Sequence, residues 1–286
     1  MAWFGRRPST RLASLIAPGT LWLAVFFLVP IALVFGYSVM RRDPFGGVLP
    51  GFTFEHYRRF FDPLYLDVLG RTIGWSLLVT VVSLALGYPV AYLIARERRR
   101  RRLLLFLVVL PFWTSFLVRM FAMIFLLRDT GFVNSALVAA GVIDEPIQLL
   151  YTPFAVLAGL VYGFLPLMIL PIYASLEKLD DSLLEAAEVL GARPAARFLR
   201  VTLPLSMPGV VAGSLLTFIP SLGSFVTADL LGGAKQAMIG NLIQNQFTVA
   251  RNWPFGSAAS FVLMAVVLTL VLVYLGRRDA AGAPIG

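Results

Sequence analysis

The chain has 286 residues, of which 59% are hydrophobic and 14% charged, and its mean hydropathy is +0.84. A soluble domain of this length has too little interior to hide that much apolar surface, so a soluble fold is excluded. The net charge of +9 sits in short turns rather than on a face with base-reading or stacking groups, which argues against nucleic acid as a partner.

Uncharged runs occupy residues 12–40, 72–95, 103–118 (resuming at 120–127), 146–176, 201–228 and 252–276. A helix needs roughly 20 apolar residues to cross the hydrocarbon core of a bilayer. The expected fold class is therefore all-α: a polytopic membrane protein, one transmembrane domain over 1–286, with six spans. Arg6, Arg7 and Arg11 precede span one, about 13–39, which is too long for a cleaved signal peptide and reads as a retained anchor. The outer segment after it, rich in Pro, Gly and aromatic residues, reads as an ordered cap on the membrane surface. Span two, about 72–95, ends at the tract "RERRRRR" (96–102), which fills a tight turn.

Span three, about 103–127, contains Pro111 and Arg119. Arg119 is the one charge well inside a span, and it is expected to pair with an acid or with helix-end carbonyls. Span four, about 153–175, carries Ala155, Gly159 and Gly163 at four-residue intervals, a small-residue face that lets another helix come close. Span five, about 206–228, repeats this with Gly209 and Gly213 and is interrupted at Pro220. Span six, about 256–276, has no interior proline. Pro30, Pro89, Pro111, Pro166, Pro171 and Pro220 predict a helix break in five of the six spans. The closing "AAGAPIG" is expected to be disordered.

Lys and Arg number 15 on the side of the N-terminus and 8 on the other. By the positive-inside rule both termini face the cytoplasm. With no cysteine in the chain, disulfides and thiolate metal sites are ruled out. His56 is the sole histidine, which disfavours a histidine metal centre.

A charged insert, about 177–204, separates spans four and five. Leu176, Leu179, Leu183, Ala187 and Leu190 recur with helical period. Ser182 and Glu185 form an S-x-x-E capping box that predicts a helix from near Leu183. Gly191 can supply its left-handed end. Pro194 can open a second short helix through Arg197 and Arg200, and Leu203-Pro204 closes the motif before span five. Helices this short need support. The first is acidic (Asp180, Asp181, Glu185, Glu188), unlike a membrane-surface helix, so a protein partner is expected.

The spacing Glu185-Ala186-Ala187, Gly191, then Val201, Leu203 and Pro204 resembles the signature cytoplasmic loop of permease subunits of binding-protein-dependent ABC importers, with Val201 where isoleucine is common. The resemblance implies a type I importer permease in a bacterial inner membrane, with the loop as the coupling helix that docks on an ATPase dimer. It also implies a homologous second permease and an extracytoplasmic substrate-binding protein as partners. Segments including "LPFWTSFLVRMF", "GLVYGFLPLMILPIYASLEKLD" and "DLLGGAKQAMIGNLI" are similar to the spermidine/putrescine branch, while related branches carrying other small solutes, ferric iron among them, share parts of the pattern.

No P-loop is present, so ATP and Mg belong to the partner ATPase and the chain itself is expected to be no enzyme. For a polyamine route, Asp229, beyond Pro220, is the leading candidate, with Phe112, Trp113 and Tyr162 as aromatic faces. The outer segments hold 8 basic and 8 acidic residues and give cationic cargo no independent support. The rival reading is an ion-gradient secondary transporter, but mid-span coupling acids and inverted repeats are not visible.

Overall fold

A computed structural model describes residues 8–97, 99–233 and 236–280. Arg6, Arg7, Arg98 and the closing stretch from 281 lie outside the described residues. In chain order the helices are α1 (Pro8–Ser38), α2 (Glu55–Phe60), α3 (Pro63–Arg96), α4 (Arg101–Val109), α5 (Phe116–Leu127), α6 (Phe132–Ala139), α7 (Pro153–Glu177), α8 (Asp181–Val189), α9 (Pro194–Arg197), α10 (Leu203–Leu222), α11 (Val226–Gly232), α12 (Ile239–Thr248) and α13 (Trp253–Ala280). The chain divides into two compact units, one holding residues up to Pro63 and from Ile243 onward, the other Leu64–Leu242.

Five described helices are long and apolar enough to cross a membrane: Leu15–Ser38, Pro63–Arg96, Pro153–Glu177, Pro194–Leu222 and Trp253–Val273. A sixth candidate is a bent pair, Arg101–Trp113 with Phe116–Ala139, turned by 93°. Span three is thus not one straight helix. Around Pro111 the chain tightens into a 3₁₀ turn, Leu110–Trp113, and Thr114 and Ser115 are extended (ψ 147° and 139°) before α5 begins. The other expected breaks do not occur. Pro30, Pro89, Pro166, Pro171 and Pro220 all lie inside helices that run on past them. An interior proline forfeits one backbone bond, and neighbouring helices can absorb that loss within a bundle.

In the first unit the segment after α1 is ordered, as a β-hairpin followed by α2. Strand β1 (Met40–Arg42) pairs antiparallel with β2 (Val48–Phe52), and Gly46 and Gly47 turn between them at positive φ. His56 Nε2 meets the Met40 carbonyl at 3.0 Å, and the Arg42 guanidinium donates to the Ala250 carbonyl at 3.2 Å. Phe35 of α1 packs edge-on against Phe261 of α13.

In the second unit α7 is the central helix, with 56% of its span buried. One apolar cluster gathers Val79, Met120, Val156, Leu160 and Leu231 from α3, α5, α7 and α11. Another gathers Tyr88, Ala91, Met168, Ile172 and Val210 from α3, α7 and α10. The small residues expected on spans four and five sit at these contacts. A Cβ at Gly159 would collide with Leu231 and Thr227, and one at Gly209 with the Pro171 carbonyl and Ser175.

Candidate functional site

The insert between α7 and α10 folds as a helical hairpin. Its first helix is capped by Asp180, whose carboxylate accepts the Ser182 N–H at 2.9 Å, so Ser182 and Glu185 are not the cap expected from the sequence. That N–H holds the exposed Asp180 carboxyl below the usual aspartate range. Because α7 stops at Glu177 and α8 starts at Asp181, the leucine periodicity does not run through the gap. Leu184 is the buried position, and Leu183 is exposed. Glu185 and Ala186 are exposed and Ala187 is half-buried.

Gly191 ends α8 as expected. Its φ is +78°, its N–H donates to Glu188 O, and the Ala192 N–H reaches back to Ala187 O. This Schellman arrangement needs a residue free of Cβ strain. Val189 and Leu190, 88% and 86% exposed, form the apolar tip just before it. Arg197 of α9 pairs with Glu188 of α8 and closes the hairpin.

Leu203 and Pro204 do not terminate the motif. A single π turn, Phe198–Thr202, joins α9 to α10 without a gap, giving one helical run from Pro194 to Leu222. The wide turn falls where Pro204 has no N–H to donate. Leu203 packs on the cluster around Tyr88 and Val210, and Pro204 is exposed.

The arginine tract is tied into the neighbouring helices. Arg96 donates to Asp181 at 3.0 Å and lies over the Tyr92 ring. Arg101 donates to Glu177 at 2.7 Å and to the Ala95 carbonyl at 3.2 Å, joining the ends of α3 and α7 at the first residue of α4. A cavity of about 430 Å³ opens among Arg96, Arg101, Glu177, Glu185, Glu188 and Arg197. The sequence reading missed these clamps. The available signal was an acid-flanked loop and an arginine tract assigned to the same side of the membrane.

The candidates for a cargo path have different partners. Asp229 is exposed on α11, and one of its oxygens accepts from Asn241 Nδ2. Asn241, 4% exposed, also donates to Phe225 O at 3.0 Å and accepts from Met238 N at 2.9 Å. Tyr162 lies 6.0 Å from the Arg119 guanidinium, which also covers Phe112 at 5.3 Å and Phe116 at 5.5 Å. Arg119, 7% exposed, is therefore partnered by aromatic faces. The acid or helix-end carbonyl expected for it is not what holds it. Trp113 is exposed, with its ring edge-on to Phe106 at 5.7 Å.

Long apolar helices packed through small residues, one bent pair among them, and a capped helical hairpin between α7 and α10 fit a membrane permease. Residues 83–278 match the family described as the binding-protein-dependent transport system inner membrane component. The chain belongs to that family. It is 45% identical to the spermidine/putrescine transport system permease protein PotB of Escherichia coli, over 88% of this chain and 92% of that protein. To the protein of the same name in Haemophilus influenzae it is 46% identical, over 88% and 89%. A crystal structure of a bacterial alginate ABC transporter, in complex with an alginate pentasaccharide-bound periplasmic protein, shares the fold with TM-score 0.71 at 20% identity, covering 94% of each chain. The chain is thus a multi-pass inner-membrane permease subunit of an importer, and the ion-gradient reading is set aside.

Proposed function

We propose that this chain is one of two different permease subunits of an ATP-driven polyamine importer, and that a separate ATPase grips its 177–204 loop. The observation that carries the docking is the exposed Val189–Leu190 tip on an acidic helix that is fastened to α3 through Asp181–Arg96 and to α9 through Glu188–Arg197. An apolar tip backed by acids fits a cleft in another protein better than an anionic membrane surface. With Asp180 as the cap, Glu185 is left for a basic group of the ATPase, and small Ala186 and Ala187 let a backbone approach. Gly191 shapes the turn, while Leu203 and Pro204 carry the loop into α10.

ATP and Mg stay on the ATPase dimer, whose closure moves the loops of the two permeases and alternates access to a path between them. A binding protein delivers cargo on the outer side, and both termini face the cytoplasm. Likeness to relatives named for spermidine and putrescine supports a polyamine cargo, and the open oxygen of Asp229 offers a cation a partner. Trp113 and Tyr162 are the aromatic candidates along the path.

The test is ATP hydrolysis by the assembled complex in proteoliposomes, with each solute delivered by its binding protein. Spermidine or putrescine is expected to stimulate it. Stimulation by ferric iron alone would redirect the cargo, and full transport without the ATPase would overturn the proposal.

A further inference from the structure

The coupling loop is joined by the chain to α7 and α10. It also rests on α3, to which it has no direct covalent link. Tyr88, Tyr92 and Arg96 stand at four-residue intervals on one face of α3. All three meet the loop or its continuation. Arg96 holds Asp181 of α8 at 3.0 Å. Tyr92 and Tyr88 both take the Phe198 ring edge-on, at 6.1 and 5.6 Å, from the π turn after α9. The Tyr88 hydroxyl shares a 2.8 Å hydrogen bond with Ser206 in the first turns of α10. Arg101 adds a strut from the Ala95 carbonyl, in the last turn of α3, to Glu177.

The opposite end of α3 is fastened too. Thr72 Oγ1 accepts the Ile239 N–H at 2.9 Å, two residues before Asn241, the side chain that holds Asp229. A helix from Thr72 to Arg96 is about 36 Å long. One rod therefore bears on the loop at one end and on the Asp229 neighbourhood at the other.

We infer that the Tyr88–Tyr92–Arg96 face of α3 is a seat that makes α3 move with the coupling loop, so that a push on the loop drives three spans and reaches Asp229 through α3. Arg96 is in this sense a positioning residue. The inference rests on the proposed docking of an ATPase to the loop. Contact alone does not establish coupling between sites, so the test measures coupling.

The permease is assembled with its second permease, ATPase and binding protein in proteoliposomes, and solute moved per ATP hydrolysed is measured. Arg96→Asp places like charge against Asp181 and strips the cation from Tyr92. It is expected to lower that ratio about fivefold, the low end of coupling effects, while the ATPase recovered with the permease stays within about twofold. Adding Asp181→Arg restores opposite charge and is expected to return the ratio to within about twofold of the unsubstituted complex. An unchanged ratio in R96D, or no recovery in the double variant, overturns the inference while the docking reading stands. Failure of the unsubstituted permease to retain the ATPase sinks the docking reading, and this inference with it.

Discussion

Among the described residues, Asp229 is held from one side only. The buried Asn241 amide fixes one carboxylate oxygen while spending its other bonds on Phe225 and Met238, so its orientation is set by the fold rather than by Asp229. Asp229→Asn keeps an oxygen for that bond and removes the charge. Charge-assisted hydrogen bonds contribute roughly 1.5–3 kcal/mol, so polyamine uptake below saturation is expected to fall about tenfold or more. Recovery of the assembled complex should not change. Uptake assays on D229N decide this, and wild-type uptake would remove Asp229 from the path. Arg119 illustrates the opposite situation, a cation whose partners are the faces of Phe112, Phe116 and Tyr162. A sequence reading that looks for acids cannot find such a partner.

Among the elements, the contact of α7 with α10 depends on backbone approaching backbone. At Gly209 a Cβ would strike the Pro171 carbonyl, which cannot swing away as a side-chain end can. Gly209→Val is expected to cost about 1–3 kcal/mol through overpacking, read as a lower melting temperature of the detergent-solubilised protein. Gly74→Ala, with open space around it in α3, is expected to leave that temperature unchanged or slightly raised. A Gly209→Val protein as stable as its parent would mean that the two helices separate without loss. These small-residue contacts were legible because spacing alone marks them. The bend at Thr114–Ser115 was only half legible: Pro111 flags trouble, but the helix gives way three residues later. The β1–β2 hairpin was not legible, since its turn donates the Gly47 N–H to Arg251 O and its Arg42 reaches Ala250, both some two hundred residues away.

For the molecule as a whole, the bent segment decides the parity of crossings. Residues Arg101–Trp113 number 13 and span about 20 Å, short of the hydrocarbon core of about 30 Å. If the bent pair is one crossing there are six, and the termini share a side. A re-entrant dip would leave five and separate them. The bias of 15 basic residues against 8 favours the even count. Since the chain has no cysteine, Ala2→Cys and Ala283→Cys each provide a unique label site. Both are expected to resist a membrane-impermeant thiol reagent in intact cells and react after lysis; labelling of either from outside would refute the topology. The run of apolar and charged segments made the membrane class and the two short helices of the 177–204 loop readable from sequence. The clamps of Arg96 and Arg101 were not, because they join turns about eighty residues apart whose proximity follows from helix packing.

The unbroken run from Pro194 through the π turn to Leu222 has a mechanical corollary. Over 29 residues, about 43 Å, the backbone stays helical throughout. If an ATPase grips the loop as proposed, a twist applied there would be carried along this run toward Leu222, with the looser winding at Phe198–Thr202 and the interior Pro208 and Pro220 as its compliant points. The first non-helical stretch beyond it, Gly223 to Phe225, leads into the helix that bears Asp229. A few degrees of twist there would re-aim that carboxylate without unfolding a single turn.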